Sequence, residues 1–150
     1  EAKAELAKAN GAAHAIIGHE DLAAKVRALT GGEGVPVVYD SVGRDTYAAS
    51  LDSLAPLGMF VSFGNASGPL GPLDPAQLAA KGSLFFTRPS LATYTAKRGD
   101  LERAARELFE VVGSGAVKIS VNQTFKLKDA AEAHRALEAR RTTGSTVLVP

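Results

Sequence analysis

The 150-residue chain carries 17 lysines and arginines against 16 aspartates and glutamates, which gives a formal net charge of +1. Such balanced charge argues against a nucleic-acid-binding or membrane-surface protein, because both need a clustered basic face. A hydrophobic content of 45% predicts a folded chain, and the lack of cysteine excludes disulfides, thiolate zinc sites and cysteine nucleophiles within these residues.

Helical and strand patterns alternate along the first half of the chain, which is typical of a parallel sheet covered by helices. The predicted elements are a helix at Glu1–Asn10, an apolar strand at Ala13–Ile17, a helix at Asp21–Thr30, a strand at Val35–Tyr39, a helix at Arg44–Leu54, a strand at Met59–Phe63 and a short helix from Asp74 to Gly82. The first helix has no capping residue before it, so we expect it to begin upstream of Glu1.

The second half continues the alternation with a different strand pattern. Its predicted elements are a strand at Leu84–Thr87, a helix at Asp100–Val112, a strand at Val117–Phe125, a helix at Asp129–Arg141 and a strand at Ser145–Val149. In the first of these helices, Leu101, Ala105, Leu108 and Val112 recur at helical spacing, which predicts an inward apolar face. Val117–Phe125 alternates apolar and polar residues, which predicts a strand with one solvent-exposed face.

Polar residues and glycines follow three predicted strands, at Asp40–Gly43, Gly64–Gly68 and Arg88–Ser90. The carboxyl ends of parallel strands share one edge of a sheet, where α/β proteins bind ligands. Glycines would let a planar or phosphorylated ligand approach the backbone, and Asn65 offers a donor and an acceptor to an amide-bearing ring. The same residue types are common in ordinary turns, so both interpretations stay open.

A glycine-rich phosphate loop of the G-x-G-x-x-G type does not occur in the sequence. Gly32-Glu33-Gly34 and Gly113-Ser114-Gly115 each begin the pattern without completing it. Either the domain binds no dinucleotide or that loop lies upstream of Glu1.

No nucleophile, base and orienting acid occur together in the sequence. His134 lies in a charged helix and is predicted to be a surface side chain. His19 follows a predicted strand and either stacks on an adenine or starts the next helix. Asp40 and Ser41 at a strand end either bind a ligand or cap a turn, and the sequence does not separate the two.

The segments Val37–Tyr47, Gly58–Gly68 and Lys81–Leu91, with Phe125–Ser145 after them, resemble the bacterial NADPH:quinone oxidoreductases. These form the zeta-crystallin-like, zinc-independent branch of the medium-chain dehydrogenase/reductase superfamily. The resemblance implies a cytoplasmic enzyme with an α/β Rossmann-type parallel sheet and flanking helices. It also implies NADPH as cofactor, quinones as substrates and no metal ligands or catalytic acid or base in this chain.

The resemblance further implies that the chain is the C-terminal portion of such an enzyme, a partial NADP-binding domain over residues 1–150. The first βαβ unit and a GroES-like catalytic domain would be absent. Residues 117–150 would form the segment that returns to the catalytic domain.

Cofactor-binding positions also follow from the resemblance. They are Lys3 at the adenosine 2′-phosphate, Val42 near the nicotinamide ribose, Phe63, Gly64, Asn65 and Ala66 in the nicotinamide-side loop, Arg88, Pro89 and Ser90 after the next strand, and Arg140 reaching back to the cofactor. Without the resemblance, Lys3 would be interpreted as a solvated helix lysine, and for Arg140 a surface charge beside Arg141 stays an open alternative. Gly18 and His19 stand where relatives often place an aromatic residue beside the adenine.

The predicted strand Leu84–Thr87 would be the outer strand of the sheet, which family members pair with its copy in a homodimer. Two alternatives to a quinone reductase stay open. One is an enoyl reductase of the same superfamily, and the other is a dimerising or binding module that is inactive in isolation. We expect no nucleic-acid partner and no membrane span.

Overall fold

A computed structural model describes all 150 residues. The chain divides into two compact units, Glu1–Tyr94 and Thr95–Pro150. No helix is long and apolar enough to cross a membrane.

The first unit contains a parallel sheet and five helices. Its elements are α1 (Ala2–Ala9), α2 (Leu22–Leu29), β1 (Val35–Asp40), α3 (Tyr47–Asp52), β2 (Leu54–Ser62), α4 (Pro75–Ala80), β3 (Phe85–Thr87) and α5 (Leu91–Tyr94). The strand order is β1-β2-β3, and both pairings are parallel. The predicted α/β class is therefore confirmed, and the three strands end at the same edge of the sheet.

One face of this sheet carries the hydrophobic core of the unit. The core consists of Leu51, Leu54, Phe60 and Leu84, all almost fully buried. The ring of Phe60 lies 5.6 Å from the Tyr47 ring and 5.4 Å from the Phe86 ring. α3, β2 and β3 are thereby packed together on this face.

The opposite face of the sheet is apolar and partly exposed. Val37, Met59 and Phe85 occupy one register row across the three strands. Their exposed fractions are 39%, 39% and 56%. The alternation that buries Phe60 therefore places its neighbour Met59 on the outer face.

The second unit is built from two helices and a parallel strand pair. Its elements are α6 (Arg98–Gly113), β4 (Val121–Lys126), a 3₁₀ turn (Leu127–Asp129), α7 (Ala130–Glu138) and β5 (Ser145–Val149). Ala133 is its one buried apolar side chain and Thr142 its one buried polar side chain. Gln123 links the strands at their start, because its amide nitrogen donates to the Thr143 carbonyl at 2.7 Å.

Two predictions for the first unit are wrong. Ala13–Ile17 is not a strand, because no strand of the structure pairs with it and strands need such partners. The helix predicted at Arg44–Leu54 covers only Tyr47–Asp52, and Leu54 begins β2. Leu54 pairs with Val35, after which the register shifts, and Leu57 lies in the left-handed region at φ +62°. The start of β2 is therefore irregular, which the sequence pattern did not predict.

Two predictions for the second unit also need correction. The predicted apolar face of α6 is not fully buried: Leu101 and Leu108 are 43% and 54% exposed, and only Ala105 and Val112 are half-buried. An amphipathic pattern predicts an apolar face but does not supply the surface that covers it. The strand predicted at Val117–Phe125 begins only at Val121, where pairing with Ser145 starts.

Candidate functional site at the strand ends

The loops that follow β1 and β2 are joined by backbone hydrogen bonds. The Phe63 N–H donates to the Asp40 carbonyl at 2.9 Å, which continues the sheet by one residue. Beyond it, the Ala66 N–H donates to Ser41 at 3.2 Å and the Ser67 N–H to Val42 at 2.8 Å. The two loops therefore lie side by side at the carboxyl edge, as the sequence predicts.

Two glycines permit this close approach. A Cβ at Gly64 would collide with the Ser41 carbonyl. A Cβ at Gly43 would lie 2.5 Å from the Gly68 carbonyl oxygen, and Gly43 has φ +93°. The glycines therefore let one loop pass against the other, a structural role that the turn interpretation predicts.

The Asp40 carboxylate anchors the β1 loop from inside the protein. One oxygen accepts hydrogen bonds from the Val42 and Gly43 N–H groups, at 2.8 and 2.9 Å. The other accepts from the Thr46 and Ser50 hydroxyls, each at 2.7 Å. Asp40 is buried, so the structure favours the capping interpretation over a ligand-binding one.

Opposing effects act on the pKa of Asp40. Burial alone raises the pKa of this carboxyl, because it penalises the charged form. The hydrogen bonds from Gly43, Thr46, Ser50 and Val42 favour the charged form and together outweigh burial. The pKa of Asp40 is therefore below its ordinary value of 3.8, and the carboxylate is ionised at neutral pH.

Arg88 connects the loop after β3 to the loop after β2. Its Nη1 donates to the Ser62 hydroxyl at 3.0 Å, the Gly64 carbonyl at 3.2 Å and Oδ1 of Asn65 at 3.2 Å. Ser62 is buried at the end of β2. Val42, Asn65 and Arg88 therefore belong to one hydrogen-bonded cluster of loops, which we call the strand-end rim (residues 40–43, 62–68 and 88–90).

Ser67 has a role in the rim that the sequence analysis did not assign. Its hydroxyl donates to the Val42 carbonyl at 2.9 Å and accepts from the Asp45 N–H at 3.0 Å. A serine two residues after Asn65 in a glycine-rich loop is the signal that could have indicated it, since serine hydroxyls often bind nearby backbone groups.

Several rim groups are free to meet a ligand. Phe63 is 53% exposed, and the Asn65 side chain is exposed. The backbone N–H groups of Gly64 and Asn65 donate no hydrogen bond within the protein. The rim thus offers an apolar ring, two backbone donors and one amide side chain, which suits a flat ligand with hydrogen-bonding groups.

Lys3 lies outside the rim within the first unit. Lys3 is exposed on α1, where it lines a groove with His14, Ile16 and Ile17, and no hydrogen bond or ion pair links it to the rim. Arg140 lies in the second unit directly after α7, exposed and at φ +56°. The sequence prediction that His134 is a surface side chain is confirmed.

The remaining predicted positions lie on the rim. Ala66 is held to Ser41 by its N–H, and Pro89 follows Arg88 directly. The Ser90 carbonyl accepts hydrogen bonds from the Thr93 and Tyr94 N–H groups, which starts α5. Ser90 thus has a clear local role in forming the helix, which the sequence analysis did not predict.

A family model described as zinc-binding dehydrogenase matches residues 10–148. The chain belongs to this family. The residues present do not fit a zinc site, because the chain has no cysteine and no group of three or more histidine, aspartate or glutamate side chains placed to hold a metal ion.

Relatives match nearly the whole chain. The chain is 51% identical over 149 residues to the quinone oxidoreductase of Pseudomonas aeruginosa, covering 99% of this chain and 46% of that protein. It is 45% identical over 152 residues to the 2-haloacrylate reductase of a Burkholderia species, covering 100% of this chain and 46% of that protein. The chain therefore spans about half the length of the curated relatives it matches.

A solved structure shows the same fold. The structure of Escherichia coli quinone oxidoreductase complexed with NADPH matches with a TM-score of 0.93 and 47% identity. The match covers 99% of this chain and 47% of that one. The fold predicted from the sequence, a Rossmann-type α/β arrangement, is confirmed by this agreement.

Proposed function

We propose that this chain is the cofactor-binding part of an oxidoreductase that transfers reducing equivalents from NADPH to quinones. The observation that carries the proposal is the strand-end rim, in which three loops are tied together at the carboxyl edge of a parallel sheet. This edge is the position at which α/β sheets bind nucleotides. The named relatives, which include quinone oxidoreductases and an NADPH complex, support the same cofactor and substrate.

The rim residues fit the nicotinamide half of the cofactor. The free N–H groups of Gly64 and Asn65 can donate to acceptor atoms of the cofactor, and the exposed Phe63 ring offers an apolar surface to the nicotinamide. We assign Val42 to the ribose side of the nicotinamide site, and Ala66, Pro89 and Ser90 to the outer wall of that site. Bound NADPH would supply a hydride.

The rim contains no ionisable group suited to proton transfer, since its one buried carboxylate, Asp40, is fully hydrogen-bonded. We therefore assign to these residues the holding of the hydride donor in a fixed orientation. Orientation of two reactants can by itself lower a barrier by several kcal/mol.

Two further contacts belong to the proposal. Lys3 would place an ammonium group at the 2′-phosphate that distinguishes NADPH from NADH, a charge-assisted contact. Arg140 would also contact the cofactor, as the resemblance implies. Lys3 has no carboxylate partner in the structure, so its charge is available for a phosphate.

We propose the following organisation for the whole enzyme. Residues 1–150 form part of the NADP-binding domain, and residues 117–150 return to a catalytic domain that these residues do not include. The enzyme works without zinc. It works in the cytoplasm, because a chain without cysteine fits a reducing compartment.

A chimeric enzyme tests this function. In the chimera, these 150 residues replace the matching 46% of the Pseudomonas aeruginosa quinone oxidoreductase. We expect NADPH-dependent reduction of a quinone by the chimera, and NADPH oxidation no faster than buffer by the isolated chain. A folded chimera that binds no NADPH, or rapid turnover by the isolated chain, would contradict the proposal.

The 2-haloacrylate reductase relative favours an enoyl-type reductase as a second candidate, because a haloacrylate is an activated alkene. The chimera does not decide this alternative by itself, since it carries the relative's catalytic domain. Quinone and enoyl-thioester reduction are therefore compared in the whole enzyme proposed above. Faster reduction of the thioester would establish the alternative.

We also propose a homodimer that forms along β3. This strand has a single neighbour in the sheet, and Phe85 is 56% exposed on it. A lysine at an edge strand opposes edge pairing, so Phe85→Lys should shift the mass measured by light scattering from dimer to monomer. Phe86 does not serve for this test, because it packs against Phe60 in the core. An unchanged dimer mass in the Phe85→Lys variant would count against this interface.

A further inference from the structure

The guanidinium of Arg88 is held by neutral oxygens alone. Nη1 donates to Ser62, Gly64 and Asn65, and no carboxylate lies within ion-pair distance of the side chain. One partner, the Ser62 hydroxyl, is buried at the end of β2. Nη1 of Arg88 therefore bridges the end of β2 and the loop that carries Asn65.

This contact decides which way the Asn65 amide faces. Arginine has N–H donors and no acceptor, so the Asn65 atom directed at Nη1 must be the oxygen Oδ1. The opposite orientation would place the Asn65 NH₂ group against another donor. Nδ2 is consequently directed away from Arg88, and it makes no hydrogen bond within the protein.

We propose that Arg88 is a positioning residue, which holds Asn65 so that its NH₂ group is presented to a carbonyl oxygen of the nicotinamide carboxamide. The inference rests on the proposed function and specifies it further. The sequence resemblance implies that Arg88 contacts the cofactor directly. In this proposal the guanidinium acts through Asn65 instead.

The competing arrangement is a direct contact between Arg88 and the cofactor. Nε and Nη2 of Arg88 donate no hydrogen bond in the protein, so they could bind a ligand themselves. The two arrangements differ in one measurable respect. A residue that acts only through Asn65 loses its effect once the Asn65 amide is removed, whereas a direct contact keeps it.

The first test observes Asn65 without any cofactor. The chain has three asparagines and two glutamines, so its ¹⁵N spectrum holds five side-chain NH₂ pairs, and Asn65→Ala identifies the relevant one. Arg88→Met removes every donor and should shift the Asn65 pair toward the position of a solvent-exposed amide. The control Arg103→Lys, on the surface of α6, should leave it in place. An Asn65 pair that does not move in Arg88→Met would overturn the inference.

The second test is a double-mutant cycle on the dissociation constant of NADPH in the chimera. Loss of one hydrogen bond weakens binding about fivefold, so we expect about fivefold for Arg88→Met and about fivefold for Asn65→Ala. The double variant should also show about fivefold, rather than the about 25-fold of independent contacts. Arg88→Lys, which keeps a donor, should recover part of the affinity.

The outcomes separate the inference from the proposed function. Additive effects in the cycle would overturn the positioning role and support a direct contact. An unsubstituted chimera that folds without binding NADPH would contradict the proposed function. The Asn65 spectrum is recorded without cofactor, so it decides in that case whether Arg88 holds the amide.

Discussion

The two units contain the same kinds of elements, yet they bury very different amounts of apolar surface. In the first unit, β2 and α3 bury Phe60 and Leu51 almost completely. In the second, the long helix α6 leaves Leu108 and Phe109 more than half exposed, and Ala133 is the one buried apolar side chain. Both units have apolar helix faces, so the difference lies in the surface that each face meets.

A three-stranded sheet supplies such a surface in the first unit. β2 is paired on both sides, so its inner face forms a continuous wall on which α3 packs. The second unit has only a strand pair, and two-stranded sheets are marginal without further packing. Residues of the same type should therefore contribute differently to stability in the two units.

Removal of an aromatic ring should show the largest contrast. Phe60→Ala leaves a cavity between Tyr47 and Phe86 and should lower the free energy of unfolding by about 3–5 kcal/mol. Phe109→Ala in α6 should change it by less than about 0.5 kcal/mol, because that ring is 71% exposed. Urea unfolding followed by circular dichroism measures both. Equal losses would show that α6 is covered in solution.

Asp40 provides the next contrast, between a buried and an exposed carboxylate in one loop. Asp40→Asn should cost about 2–3 kcal/mol at pH 7, because hydrogen bonds to a charged group contribute about 1.5–3 kcal/mol. The matched variant Asp45→Asn should cost less than about 0.5 kcal/mol, since Asp45 pairs with Arg44 at the surface. Denaturation curves of the two variants give the comparison.

The same carboxylate makes stability depend on pH. Because folding lowers the pKa of Asp40 below 3.8, its stabilisation is complete above that pH and is lost as pH falls through the folded pKa. The stability difference between the native chain and Asp40→Asn should therefore be constant near neutral pH and shrink below about pH 4. A difference that grows on acidification would contradict this assignment.

The smallest effect concerns two aspartates at helix N-termini, one in each unit. The Asp74 carboxylate accepts from the Ala76 N–H at 2.9 Å, whereas Asp129 precedes α7 without a capping hydrogen bond from its side chain. Asp74→Ala should lower the free energy of unfolding by about 1 kcal/mol. Asp129→Ala should lower it by only about 0.3 kcal/mol. Thermal unfolding of the two variants checks the difference, and a larger loss at Asp129 would reverse the assignment.

The sequence by itself determined the local features that depend on neighbours along the chain. The cap at Asp74 and Pro75, the β-branched strand at Val35 and the run of polar residues at three strand ends all follow from local residue preferences. The resemblance carried by Val37–Tyr47 and Gly58–Gly68 indicated the family before any coordinates.

Only the tertiary structure decided what depends on residues distant in sequence. It showed that Ala13–Ile17 has no strand partner, that the α6 face is exposed, and that Asp40 anchors a turn. It also brought Arg88 to Asn65, 23 residues away. Burial, strand pairing and the direction of an amide are properties of pairs of surfaces, and a residue's own preferences do not specify its partner.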